Sequence, residues 1–131
     1  MIILFWNVRG LGLLAKRRMA KGIIIGAKAD IACLTETKLT APSERLTNTL
    51  GPRRMDRWIA KDSLGVAGGL LIGFDSSAYL LVGIWIGRFT LSVVLKRRID
   101  SFTQVITSVY GPNRRMLRPL ISQEIRMLKH K

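Results

Sequence analysis

The chain is poor in cysteine, histidine and acid: one Cys, one His, and 8 Asp and Glu against 22 Lys and Arg in 131 residues. With Cys33 alone, an intrachain disulfide is excluded and a reducing intracellular compartment is expected. Cys33 sits in an apolar run, where the ordinary role is that of a small buried hydrophobe. His130, in Lys-His-Lys at the C-terminus, reads as part of a solvated tail. The shortage of acid leaves a formal charge of +14 and an isoelectric point near 11.3. Such a surface attracts polyanions, with nucleic acid the first candidate and an anionic membrane surface the second. A spanning hydrophobic run is also lacking. The stretch from Leu64 to Gly87 is broken by Asp75, which would cost about 2.5–3.5 kcal/mol near a bilayer centre. Its six glycines suit turns and strand ends, and Ser76 to Gly87 alone falls short of the roughly 20 residues a spanning helix needs. No membrane partner is expected. Met1 to Trp6 is apolar but short, lacks a basic lead, and runs directly into Asn7 and Arg9, unlike a signal peptide.

What is present suits a packed core. Nearly half the residues are apolar (48%) and the mean hydropathy is +0.22, so disorder is excluded, and a chain of this length fits one domain. No repeat, low-complexity tract or linker divides residues 1–131. Met1–Trp6 reads as a buried strand ending at the turn signal Arg9-Gly10-Leu11-Gly12. Residues 14–28 set Ala20, Ile23, Ile24 and Ala27 at helical spacing, with Lys16, Arg17, Arg18 and Lys21 supplying a polar face. Asp30 opens a second strand, Ile31–Leu34, ending in Thr35-Glu36-Thr37. This strand–helix–strand unit favours a layered α/β fold. A short helix from Pro42 and Ser43 reaches Leu50 and is stopped by Gly51-Pro52. Strands are expected over Arg57–Lys61, Gly68–Phe74, Tyr79–Ile86, Phe89–Leu95 and Phe102–Val109, with hairpin tips at Gly87-Arg88 and Arg97–Ser101. A last amphipathic helix from Pro119 would bury Leu120, Ile121, Ile125 and Leu128. Because a helix in an alternating α/β sheet leads into another strand, the chain reads as interrupted.

Three polar residues fall at the carboxyl ends of expected buried strands: Asn7, Glu36 and Tyr110. Ligand sites of α/β sheets gather at such ends. A carboxylate and a carboxamide can share a hard cation such as Mg²⁺, and a phenol can donate to a phosphate oxygen. The same positions also suit a turn former at Asn7 and a rim aromatic at Tyr110. Glu36 is harder to assign a passive role, since a carboxylate between a buried strand and a loop is costly unless paired or metal-bound.

Four stretches occur in order: FWNVRGLG (Phe5–Gly12), DIACLTETKL (Asp30–Leu39), AGGLLIGFDSS (Ala67–Ser77) and SVYGPN (Ser108–Asn113). Together they resemble the endonuclease domain of non-LTR (LINE-type) retrotransposons, in particular the plant type. That domain belongs to the exonuclease–endonuclease–phosphatase superfamily. The resemblance covers essentially the whole chain. It implies a four-layer α/β/β/α sandwich, present here in part and truncated at the C-terminus, with the active site along one edge of the paired sheets. It implies catalytic roles for Asn7, Glu36 and Tyr110, with Asn7 holding phosphate and metal, Glu36 binding Mg²⁺ and Tyr110 contacting the scissile phosphate. It is compatible with a nuclear location, while the residues themselves mark the compartment no further than reducing.

The departures from that family are as informative. Thr35 stands where the family usually carries Gln. Past Tyr110 there is neither a GDFN-like nor an SDH-like motif, and the only carboxylate side chain after Asp100 is Glu124. Phosphodiester hydrolysis needs a metal to neutralise charge and a base to prepare the water, so these residues alone are expected to be inactive. The expectation is a truncated Mg²⁺-dependent endonuclease-like domain; the alternative is a nonspecific nucleic-acid-binding module without catalysis. Basic residues suited to DNA backbone contact without base readout are Arg9, Lys16, Arg17, Arg18, Lys38, Lys96, Arg97, Arg98, Arg114 and Arg115. If a second sheet lacks its cover, aggregation or self-association through the exposed sheet surface is expected.

Overall fold

The structure, a computed structural model, describes residues 1–63 and 68–110. Arg114, Arg115, Glu124, His130 and the helix expected from Pro119 lie outside the described residues. Strand β1 (Ile3–Asn7) leads through helix α1 (Leu14–Gly26) to β2 (Ile31–Thr35). A one-turn helix α2 (Glu44–Thr47) follows, then β3 (Arg57–Lys61), β4 (Leu70–Phe74), β5 (Tyr79–Ile86), β6 (Thr90–Arg97) and β7 (Thr103–Val109).

The first four strands form one sheet in the order β1-β2-β4-β3, and the last three form a second in the order β5-β6-β7. Strands β1 and β2 run parallel, as a helical crossover requires, and all other neighbours run antiparallel. The fold is thus mixed α/β with two sheets, as the sequence leads one to expect. The expected helix over residues 43–50 shortens to Glu44–Thr47, capped by the Ser43 hydroxyl, which accepts from Leu46 N–H at 3.1 Å.

Period-two patterning explains how the sheets stack. Ile31 and Cys33 of β2, and Leu70, Ile72 and Phe74 of β4, face Leu91, Val93 and Leu95 of β6 and Ile106 of β7 in one buried cluster. Full burial of each such side chain contributes roughly 1.5–3 kcal/mol. The alternate residues Leu34 and Leu71 point the other way, into a cluster with Ala20 of α1, Leu50, Val8 and Leu11. Helices therefore cover one face of the first sheet, and the second sheet covers the other, giving an α/β/β stack among the described residues. A register shift between Leu81 and Gly83 in β5 aligns Ile84 with Val93 and Ile86 with Leu91, yet both isoleucines stay about half exposed. Among the described residues no helix is long and apolar enough to cross a membrane.

Candidate functional site

One end of the first sheet is built from backbone that ordinary residues avoid. Arg9 (φ 53°), Gly10 (100°), Glu36 (56°), Lys38 (56°), Gly68 (80°) and Gly69 (94°) all have positive φ. For a residue with a Cβ this costs about 1–2 kcal/mol. These positions lie just beyond the carboxyl ends of β1 and β2 and just before β4, which runs antiparallel to β2. Backbone hydrogen bonds continue across them where the strands have ended. Gly10 N–H donates to Glu36 O (2.8 Å), Leu11 N–H to Thr37 O (3.0 Å), Thr37 N–H to Gly69 O (3.2 Å) and Lys38 N–H to Gly68 O (2.8 Å). Strained backbone held by its surroundings in this way is concentrated at functional sites.

The residues picked from sequence fall on this platform. Asn7 is the last residue of β1, opposite Thr35 of β2, and its side-chain oxygen accepts Arg9 N–H at 3.1 Å. That bond turns the chain into the left-handed Arg9, so Asn7 does act as a turn former. Glu36 follows β2 and is half-buried. Among the described residues no ion pair engages its carboxylate. Tyr110 follows β7 of the other sheet, with its N–H bound to Phe89 O at 2.7 Å. Its ring lies flat against Gly68, where an added Cβ would sit 3.7–3.8 Å from three ring carbons. Lys38 bonds Gly68 and its side chain crosses Gly10. Asn7, Glu36 and Tyr110, distant in sequence, are therefore linked through one set of touching loops at the end of both sheets.

The donor set suits a hard cation: one carboxylate and one carboxamide, with no sulfur or imidazole among them. Mg²⁺ takes such oxygen ligands and keeps several waters. The set is thin, since the Asn7 oxygen already accepts a hydrogen bond. Among the described residues no group of three or more His, Cys, Asp or Glu side chains could hold a metal ion. Glu36 would be the charged ligand, with Asn7 a second donor.

The basic residues divide. Arg9 and Lys38 are exposed on the platform itself, and Lys16 and Arg18 lie in the first turns of α1. Arg17 is spent internally: its guanidinium donates to Leu11 O and Gly12 O (both 2.9 Å) and to the Thr49 hydroxyl (3.1 Å). It clamps the loop after β1 to α1 and to the chain following α2. Sequence reading missed this role, although Arg17 shares a helical face with Ala20 and Ile24. Lys96, Arg97 and Arg98 are not brought to the site. Thr90 pairs with Val109 beside Tyr110, whereas Lys96 pairs with Thr103, a separation of roughly 20 Å along the strands. There Arg97 bonds Asp100 and holds its carboxyl down at about 2, and Arg98 donates to Ser76 O at 3.0 Å. Sequence reasoning also missed Thr37 and Gly69. Thr37 is buried, and a Cβ on Gly69 would overlap its hydroxyl. The Gly-Gly pair before β4 was the visible signal.

Solved structures share this architecture. The human Nocturnin catalytic domain with bound sulfate anion superposes with a TM-score of 0.65 at 13% identity, over 98% of this chain and 59% of that one. The AP endonuclease LMAP from Leishmania major gives 0.64 at 19% identity, over 94% and 44%. The APE2 catalytic domain of Xenopus laevis gives 0.60 at 17%, over 94% and 49%. The fold is of the endonuclease/exonuclease/phosphatase type, and the chain spans about half the length of these structures. No protein-family model matches the sequence, and no curated protein does.

Proposed function

We propose that residues 1–131 are part of a metal-dependent phosphodiesterase domain acting on nucleic acid, an endonuclease of the LINE retrotransposon kind. In this reading Glu36 is the anionic Mg²⁺ ligand, Asn7 a second oxygen donor that also meets phosphate, and Tyr110 a hydrogen-bond donor to a phosphate oxygen. What supports it is the set of hydrogen-bonded loops at one end of the sheets that links the three positions, with left-handed backbone at Arg9, Glu36 and Lys38. The likeness in fold to a solved structure that is an AP endonuclease by name adds support. Arg9 and Lys38 would take the DNA backbone beside the scissile phosphate. Bound Mg²⁺ would neutralise charge developing on that phosphate. Among the described residues no group of three or more acidic, His or Cys side chains gathers at the platform, and nicking by these 131 residues alone is expected to be negligible. Exposed side chains of β5 and β7, such as Ile86 and Val105, would favour self-association.

The alternative is a nucleic-acid-binding module without catalysis, favoured by the +14 charge and the thin donor set. Paramagnetic Mn²⁺ separates the two. In the metal-site reading it selectively broadens the amide signals of Gly10, Glu36 and Lys38, and Glu36→Ala abolishes the effect. Supercoiled plasmid stays intact with Mg²⁺ and with EDTA. Broadening scattered over other carboxylates, untouched by Glu36→Ala, would sink the metal site and leave the binding module. Mg²⁺-dependent nicking lost in Glu36→Ala would show instead that the residues present suffice for hydrolysis.

A further inference from the structure

Helix α1 carries an apolar surface that the first sheet does not use. Its buried residues are Ala20 and Ile24. At about 100° per residue, Ala15, Gly22 and Gly26 point directly away from them, towards solvent. On either side of that line Leu14 (43%), Met19 (55%), Ile23 (38%) and Ile25 (50%) remain exposed. Sequence reading set Ile23 in the buried stripe and expected no membrane partner. The structure leaves these aliphatic side chains exposed, Ile23 at the margin, with Arg18 on the same face, Lys16 and Lys21 along its borders and Lys28 just past the end of the helix.

The charge around this face selects its occupant. No Asp or Glu precedes Asp30 in the chain, so a second copy would bring like charge against like charge. A nucleic-acid backbone would satisfy the basic groups but leave the aliphatic side chains against phosphate and sugar. An anionic bilayer surface takes both: acyl chains receive the outward aliphatic residues, and headgroups meet the lysines at the borders. We infer that the outer face of α1 is a peripheral docking surface for anionic lipid, lying in the plane of the interface rather than crossing it. Nothing in the proposed phosphodiesterase activity is required for it.

Flotation with phosphatidylcholine vesicles, with and without phosphatidylserine, tests this. The chain should float with the phosphatidylserine-containing vesicles and stay behind with pure phosphatidylcholine. The variant Leu14→Gln/Met19→Gln/Ile25→Gln keeps helix propensity and every charge, and its fold is checked by a cooperative thermal melt. It should bind the anionic vesicles about tenfold or more weakly with its affinity for duplex DNA unchanged. A second variant, Arg18→Gln/Lys21→Gln/Lys28→Gln, should lose the preference for phosphatidylserine. The inference is overturned if the wild-type chain does not float, or if the apolar variant floats as well as the wild type. It is equally overturned if that variant loses DNA affinity in step, or if it dissociates a dimer formed by the wild type.

Discussion

Glu36 sits in left-handed backbone at φ 56°, a conformation that glycine adopts without penalty and glutamate does not. Glutamate there carries a backbone cost that glycine would not. Glu36→Gly is therefore expected to raise stability by about 1 kcal/mol while abolishing Mn²⁺ broadening, as measured by urea unfolding and NMR. Gly69 is the converse case. It has φ 94° and lies against the Thr37 hydroxyl, so Gly69→Ala should cost about 2–4 kcal/mol in the same unfolding measurement. Cys33 gives a pH dependence. Burial between the sheets pushes its thiol up to about 12 from 9.0. The native state keeps this proton where the unfolded chain loses it, so stability is unaffected below about pH 9 and falls as pH rises from there towards 12. The slope is at most about 1.4 kcal/mol per pH unit. Urea unfolding at about pH 8 and about pH 10 should show that Cys33→Ala declines less steeply than the wild type.

At the scale of elements, the platform depends on how the loop after β1 is held. The loop has no regular structure, yet Arg17 ties Leu11 and Gly12 to the start of α1 and to Thr49 beyond α2. Arg17→Met keeps the aliphatic packing and removes all three donated bonds. We expect a loss of about 1–3 kcal/mol, with faster hydrogen exchange at Gly10 and Leu11, whose N–H groups donate to Glu36 O and Thr37 O. The same helix spans two environments. Ala20 and Ile24 pack on the sheet, while Met19 and Ile25 face out. Helical spacing placed the inner face correctly except at Ile23, which lies at its margin. Composition does not tell Arg17 apart from its neighbours Lys16 and Arg18, but helical spacing does, since it shares the face of Ala20 and Ile24. Which groups it bonds there depends on where the loop after β1 and the chain beyond α2 lie in the fold.

Across the whole molecule, charge is spread but not equivalent. Arg9 and Lys38 stand on the platform, and Lys96 lies at the far end of β6. Duplex binding should weaken steeply with salt. Lys38→Gln should reduce the log–log salt slope by about one, whereas Arg97→Gln, already paired with Asp100, should leave it nearly unchanged; fluorescence anisotropy across a salt series measures both. The strand–helix–strand start, the run of strands from Arg57 onward and a layered α/β class were legible in the residues, since period and turn chemistry are local properties of neighbours in the chain; the two-sheet arrangement came only from the family resemblance. Asn7, Glu36 and Tyr110 could be named as strand-end residues for the same reason. The loops that link these positions could not be read. They rest on β2 pairing with β4 rather than β3, on the positive φ of Gly68 and Gly69 and the room Gly69 leaves for Thr37, and on a second sheet laid across the first. Those are contacts between residues far apart in sequence, and no local pattern carries the free energy of packing that selects them.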